Sequence, residues 1–397
     1  MTGPVYVWSD LWGKPELVAG ASIDGRTGIF RYAPTFVAAQ HPSIDPLNLS
    51  LADEDYRTGA NAGVFGVLAD AGPDGWGRRV LKSRHPKRMA NASVLDVLVM
   101  SGGHGTGSLL FSLSRDAVKR RPDGISLADL GAAAEAAYQV EMGEVLRGPL
   151  HELMRAGSSL GGIHPKIAVT HEGAEWIAKF RGREDVVDSP RVEWAAMRLA
   201  RECGIDAAEV RLTAVGERAS VLVRRFDRHP IQHYASAHAL WNRARMREDA
   251  LQDWASYAGI VDLRRRLPGG DPRKDAEELF RRLVLNVVIG NTDDHGRNHG
   301  FLMDTAGAWR LSPAFDVLPN VGDTATVQAL GAGPDGPERS PDNVIRGAAA
   351  FSLDRKRAGD IVEEISARVH EHFSRLLREA GVPEADRETV LGRVIKP

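Results

Sequence analysis

The sequence predicts an α+β fold of two lobes, β-rich in its N-terminal part and mostly helical in its C-terminal part. Three observations predict it. Short apolar segments separated by glycine-containing turns recur up to about residue 228. From Ala239 onward apolar residues instead recur at helical spacing. Within that second part, Leu285–Asp316 (LNVVIGNTDDHGRNHGFLMDTAGAWRLSPAFD) holds an Asp, an Asn five positions later, and a second Asp beyond a hairpin signal.

Composition narrows the field. The 397 residues suffice for two or three domains, and 43% apolar with 26% charged residues is ordinary for a soluble globular protein. Lys and Arg number 51 against 53 Asp and Glu, so no basic field argues for nucleic-acid binding. The single cysteine, Cys203, has no partner for an internal disulfide and reads as buried helix packing in a reducing compartment. No signal peptide and no apolar run approaching about 18 residues appears, so the expectation is a cytoplasmic protein without a membrane segment.

The chain opens with strands, VYVWSDLW, LVAGASI and TGIFRY, the last two joined at Asp24-Gly25, a hairpin cue. Residues 62–84 read as a helix, a Gly/Pro break and a second helix. SVLDVLVM (93–100) is a further helix. The glycine-rich SGGHGTG follows, with His104 a loop residue, then the strand LLFSL. Residues 126–141 form an amphipathic helix with Ser126 as candidate cap. The domain boundaries predicted are 1–115 for an N-terminal subdomain, 116–235 for the rest of the β-rich lobe, and 236–397 for the helical lobe.

GSSLGGIHPK (157–166) comes next. Gly161 and Gly162 let backbone N–H groups approach phosphate oxygens, and Ser158 and Ser159 add hydroxyls. The same letters also read as a plain glycine turn into a strand. IAVT and EWIAKF form a hairpin at Glu172-Gly173 and place Lys179 near the end of a strand, where kinases carry the lysine that pairs with ATP phosphates. The helix from about Val192 to Glu202 starts with Glu193, placed to meet Lys179 or simply to favour the helix dipole. EVRLTAV and SVLVRRFDR make another strand pair leading to the lobe boundary near His229–His238.

In the helical part, ALWNRARMREDALQDWASYAGIV and DAEELFRRLVLNVVIG carry apolar residues at helical spacing, joined by RRRLPGGDPRKD, read as a solvated charged linker. GFLM and WRLS then flank the turn residues Asp304–Gly307. Phosphoryl transfer requires a carboxylate to orient or deprotonate the attacking hydroxyl, and Asn and Asp side chains to hold magnesium. Asp293 and Asn298 have the five-residue spacing of a kinase catalytic loop, with Asp316 as second metal ligand. Taken singly, each also reads as a turn or cap residue. Residues 318–347, rich in Gly, Pro and Asp, are expected to form a loose segment after the metal site. Residues 358–380 form an amphipathic helix and 384–394 a short closing one.

GSSLGGIHPK, WIAKF, RRFDR, NTDDHGRN and LSPAFDV, in that order, resemble the HipA family of bacterial toxin kinases, and FGVLADAGPDGWGRR resembles its N-terminal subdomain. The resemblance implies a HipA-like, protein-kinase-like fold using ATP and Mg2+. It makes Asp293 the catalytic Asp, Asn298 and Asp316 the magnesium ligands, Lys179 the ATP lysine, His295 an ATP contact, and Asp227 a hinge residue touching the nucleotide. It also implies autophosphorylation of Ser159, with Ser158 the second choice. The partners implied are a protein substrate such as an aminoacyl-tRNA synthetase, and a small helix-turn-helix antitoxin through which operator DNA would be met only indirectly. Ile163-His164 depart from the usual small and polar pair of the loop. Three other readings fit the same stretch: a small-molecule kinase with the same residues, a metal-hydrolase cluster of Asp293, Asp294, His295 and His299, and a silent kinase fold acting as corepressor. Gly296 and Gly300 disfavour the helix that a zinc-binding His295/His299 pair needs.

Overall fold

The computed structural model describes residues 3–101, 103, 105–241, 255–322 and 326–395. His104 and residues 242–254, part of the predicted helix after Ala239, lie outside the described residues. The described residues fall into two compact units interleaved along the chain. One draws on residues 1–183, 224–245 and 301–309, the other on 184–223, 246–300 and 310–397.

The first unit begins with a five-stranded antiparallel sheet: β1 (Val5–Ser9), β2 (Glu16–Asp24), β3 (Thr27–Tyr32), β4 (Tyr56–Thr58) and β5 (Leu109–Ser112), in the order β4-β3-β2-β1-β5. Asp24 pairs with Thr27 across a two-residue loop whose Gly25 takes φ 60°, as the Asp-Gly signal predicts. The predicted helix, break and helix are Gly66–Asp70 and Gly75–Arg84. Val94–Met100 follows, started by a reciprocal capping box between Ser93 and Asp96. Ser126 accepts from Ala128 N–H at the turn that leads into Leu130–Glu141.

β6 (Ile125–Ser126) runs parallel to β7 (Lys166–His171), which pairs antiparallel with β8 (Ala174–Phe180). Their two-residue loop puts both Glu172 (φ 50°) and Gly173 (φ 72°) in the left-handed region, matching the right-handed twist of the strands. β11 (His233–Ser236) is followed, after the second unit's first segments, by β12 (Gly300–Met303) and β13 (Trp309–Leu311) in a three-stranded sheet. Asp304 Oδ1 accepts from Ala306 and Ala308 N–H and closes the turn between the last two.

The second unit holds the strand pair β9 (Val210–Val215) and β10 (Arg218–Arg224) and the long helices. Helix Arg355–Glu379 buries Ile361, Ile365, Val369, Phe373 and Leu376, one stripe at three- and four-residue spacing, against the helices Ser189–Glu202 and Pro272–Ile289. Each such side chain contributes about 1.5–3 kcal/mol by leaving water, so one charge in the stripe would cost this unit its packing. Cys203 is buried here, and burial pushes its thiol up to about 12.

The charged stretch 264–275 is solvated as expected at Arg265, Arg266, Asp271, Arg273 and Lys274, and Arg264 is the exception. Arg264 is 0% exposed and donates to Asp275, Leu267 O and Gly269 O. Two helices, Tyr257–Arg266 and Pro272–Ile289, share that stretch, and Arg264 fastens the turn between them by satisfying its carbonyls. Among the described residues no helix is long and apolar enough to cross a membrane.

Candidate active site

In the second unit, helix Pro272–Ile289 starts on an Asp271 cap and stops at Gly290, whose φ of 78° reverses the chain. The loop 291–298 that follows alternates in exposure: Asp293, His295 and Arg297 face solvent, while Asp294 and Asn298 are buried. Alternation is possible because the loop is a series of turns without a helix, fixed by Asn298 N–H donating to His295 O at 2.8 Å. The two neighbouring aspartates therefore point in opposite senses.

Asp294 is 2% exposed and receives hydrogen bonds from Tyr257 Oη and from His299 Nε2, the latter at 3.1 Å. Tyr257 Oη in turn accepts from Asn286 Nδ2 at 2.9 Å, and Asn286 Oδ1 accepts from Asn291 Nδ2. Burial works to raise the Asp294 carboxyl, but His299 and the hydrogen bonds from His299 and Tyr257 outweigh it and hold the group below its ordinary range. Asp294 thus anchors the loop from inside, as a hydrogen-bonding loop residue.

Asp316 is half-buried and takes φ 60°, a conformation uncommon for a residue with a side chain though tolerated by Asp. Its approach is clamped: Ser312 N–H donates to Gly300 O, Ala314 N–H to Asp206 O at 2.7 Å, and Ala208 N–H to Ala314 O at 2.9 Å. Asn286, Asp294, Asn298, His299, Phe315 and Val317 line one small cavity, so Asn298 and both neighbours of Asp316 come to the same place. Gln328–Gly331 is tied down, with Ala329 N–H on Thr292 O and Gly331 N–H on Ala255 O. Residues 328–331 of the segment expected to be loose are thus held, Ala329 by the loop that carries Asp293.

The donor set suits magnesium. That ion takes one or two protein oxygens and completes its octahedron with phosphates and water, so an Asn amide oxygen and an Asp carboxylate suffice. Among the described residues no three His, Cys, Asp or Glu side chains converge as a metal cage. The hydrolase reading loses its geometry, because His299 is buried on Asp294 while His295 is exposed and no helix joins them. Glu193 lies in helix Ser189–Glu202, 5% exposed.

In the first unit, Lys179 is half-buried on β8 and sits in register with Lys166 of β7. The glycine stretch precedes β7, with Gly162 at φ 84°. Ser158 and Ser159 are 0% and 1% exposed, and Ser158 Oγ lies 2.8 Å from Ser101 O and 2.7 Å from Arg155 O.

The expectation for Asp227 changes. Its carboxylate is 3% exposed and accepts from Gly107 N–H at 2.7 Å, from Arg225 on both oxygens, and from Arg228 at 2.8 Å. Burial opposes its charge, but the Arg225 and Arg228 guanidiniums hold it far below the ordinary carboxylate range. Both arginines also donate to Gly105 O, at 2.9 and 2.8 Å. Asp227 is spent on binding the RRFDR segment to the 105–107 loop. Sequence reasoning missed this cluster because the Gly105 and Gly107 backbone that completes it lies 120 residues or more away.

The fold is that of a HipA-type kinase. A solved complex of the Shewanella oneidensis toxin–antitoxin proteins HipA and HipB with operator DNA contains a chain that matches at TM-score 0.68, with 17% identity, over 95% of this chain and 93% of that one. The chain belongs to the HipA family. The HipA-like C-terminal domain matches residues 158–373 and the HipA N-terminal domain residues 9–112. Among curated relatives, Y4mE of Sinorhizobium fredii, which carries an inferred kinase name, is 29% identical over 170 residues, 39% of this chain and 36% of that protein. The serine/threonine-protein kinase toxin HipA of Shewanella oneidensis is 23% identical over 188 residues, 40% of this chain and 42% of that protein. Those alignments span well under half the length of either relative.

Proposed function

We propose that the chain is a Mg-ATP-dependent serine/threonine protein kinase acting as a growth-inhibiting toxin. The observation that carries the reading is the pairing of exposed Asp293 with buried, hydrogen-bonded Asp294, in a loop whose Asn298 shares a cavity with the neighbours of Asp316. Asp293 orients and deprotonates the acceptor hydroxyl. Asn298 and Asp316 hold magnesium on the phosphates. Lys179, His295 and the Gly161–Gly162 stretch contact ATP, Glu193 supports Lys179, and Asp227 supports the segment after β10 without touching the nucleotide. Magnesium supplies charge neutralisation when bound, while the chain's own groups orient the hydroxyl and receive its proton.

The substrate in this reading is a translation-related protein, an aminoacyl-tRNA synthetase being the first to try. The partner is a small helix-turn-helix antitoxin that meets operator DNA, as HipB accompanies HipA in the Shewanella complex. Phosphorylation of Ser159, with Ser158 the alternative, adds a charge of about −1.5 to −2 where ATP phosphates sit and switches the enzyme off. Incubating the protein with labelled ATP, magnesium and a bacterial extract tests the reading. A labelled extract protein that disappears with Asp293→Asn supports it. Label transfer that survives Asp293→Asn removes Asp293 from the chemistry.

A further inference from the structure

The GPDGWGRR stretch carries no role in the reaction proposed above, yet it makes several hydrogen bonds to the glycine loop. Trp76 N–H donates to Gly162 O at 2.7 Å and Gly77 N–H to Leu160 O at 3.2 Å. These are two of the orphan donors at the start of helix Gly75–Arg84, and loop carbonyls satisfy them. Asp74 stands at the cap position, but its side chain does not cap its own helix. Its carboxylate instead accepts from Gly162 N–H. The Arg79 guanidinium donates to Ile163 O and lies 5.5 Å from the Trp76 ring centroid. The fully buried Trp76 indole donates to Lys166 O at 2.7 Å, where the loop becomes β7.

Gly75 and Gly77 are explained by the same contact, whereas Gly72 packs against Leu98. A Cβ on Gly77 would sit 2.6 Å from Leu160 O, and one on Gly75 3.1 Å from Gly162 O. From the loop's side, a Cβ on Gly161 would meet Asp74 Oδ1 at 3.2 Å. The approach at Gly77 is closer than any Cβ allows, and those at Gly75 and Gly161 leave a Cβ little room.

We infer that the Asp74–Arg79 turn is the dock that holds the glycine loop in the shape that receives ATP phosphates, with Asp74 as a positioning residue. The inference rests on the reading of 157–165 as a phosphate loop. A loop carbonyl aimed at a phosphate repels it, and the carbonyls of Leu160, Gly162 and Ile163 are all held by donors of this one helical turn. Asp74 closes the arrangement from the other side by taking the Gly162 amide, which fixes the left-handed turn at that glycine and leaves the phosphates to the other N–H groups of the loop.

The test uses the full chain with Asp74→Ala, Asp74→Asn and Trp76→Phe, and reads hydrogen exchange of the 157–165 peptide beside ATP kinetics. Asp74→Ala should speed exchange of that peptide about tenfold or more and raise KM for ATP by about tenfold, the scale of one charge-assisted hydrogen bond, with kcat changed less than about threefold. Asp74→Asn, which keeps an acceptor oxygen for Gly162 N–H, should recover most of both. Trp76→Phe should loosen the peptide at its Lys166 end. Unchanged exchange in Asp74→Ala overturns the dock, and faster exchange with an unchanged KM overturns the link to phosphate binding. Should the parent protein turn over no ATP, the kinase reading fails on its own, while the exchange arm still decides whether Asp74 holds the loop.

Discussion

Tyr257 donates its phenolic hydroxyl to the Asp294 carboxylate, tying helix Tyr257–Arg266 to the loop that presents Asp293. The bond is fully buried and continues to Asn286 on helix Pro272–Ile289, so two helices fix one loop residue. Tyr257→Phe leaves Asp294 one donor short and Asn286 without its acceptor. It should cost about 1–3 kcal/mol of stability, seen as a lower melting temperature, together with a fall in kcat larger than any change in KM. Unaltered melting would mean that the network does not hold the loop.

Asp316→Asn should abolish magnesium-dependent ATP turnover and leave the circular dichroism spectrum and melting temperature near those of the parent. An Asn keeps an oxygen donor but loses the charge that binds the ion. Near-normal turnover would remove Asp316 from the metal site.

Ser159→Ala should stay active longer than the parent during incubation with Mg-ATP, because the modification that blocks the loop has no acceptor there. Equal rates of inactivation would place the self-inhibition elsewhere, with Ser158 tested next.

His233 gives a stability prediction with a defined sign. Its ring is buried between Ile44 O, at 2.8 Å, and Ser108 Oγ, at 3.2 Å, and burial pushes its pKa down to about 4. A folded value below the unfolded one means that the unfolded chain takes up the proton first. The contribution is therefore complete above about pH 6.5 and is lost as pH falls toward 4, reaching about 3 kcal/mol. Neighbouring Asp45, which burial pushes up to about 7, acts oppositely, losing stability as pH rises through that value. The difference between the unfolding midpoints of the parent and His233→Gln, followed from pH 7 to 4.5, isolates the histidine. Parallel curves would contradict the assignment.

Much of the local structure was legible from the sequence because it is set by neighbours in the chain. Asp24-Gly25 and Glu172-Gly173 mark hairpins, with Gly25, Glu172 and Gly173 at positive φ; Gly290 ends the helix that precedes Asp293; Ser93 and Asp96 cap one another. What stayed hidden depends on partners distant in sequence. Nothing in RRFDR says that Asp227 is filled by Gly107, or in RRRLPGGDPRKD that Arg264 is fully buried. The opposite exposure of Asp293 and Asp294 follows from Tyr257, thirty-seven residues before Asp294. The PDGWG stretch was visible as a motif, but its bonds to Leu160 and Gly162 are not encoded in its own letters.

The kinase reading stands on Asp293 directing phosphoryl transfer from Mg-ATP. Intact-mass and phosphopeptide mass spectrometry after incubation with Mg-ATP, beside Asp293→Asn and a chelator control, tests it most directly, on protein first treated with phosphatase. One added phosphate is expected on the peptide carrying Ser158 and Ser159, in the parent alone. Phosphate gained equally by Asp293→Asn, or a parent protein that neither gains phosphate nor consumes ATP, would contradict it.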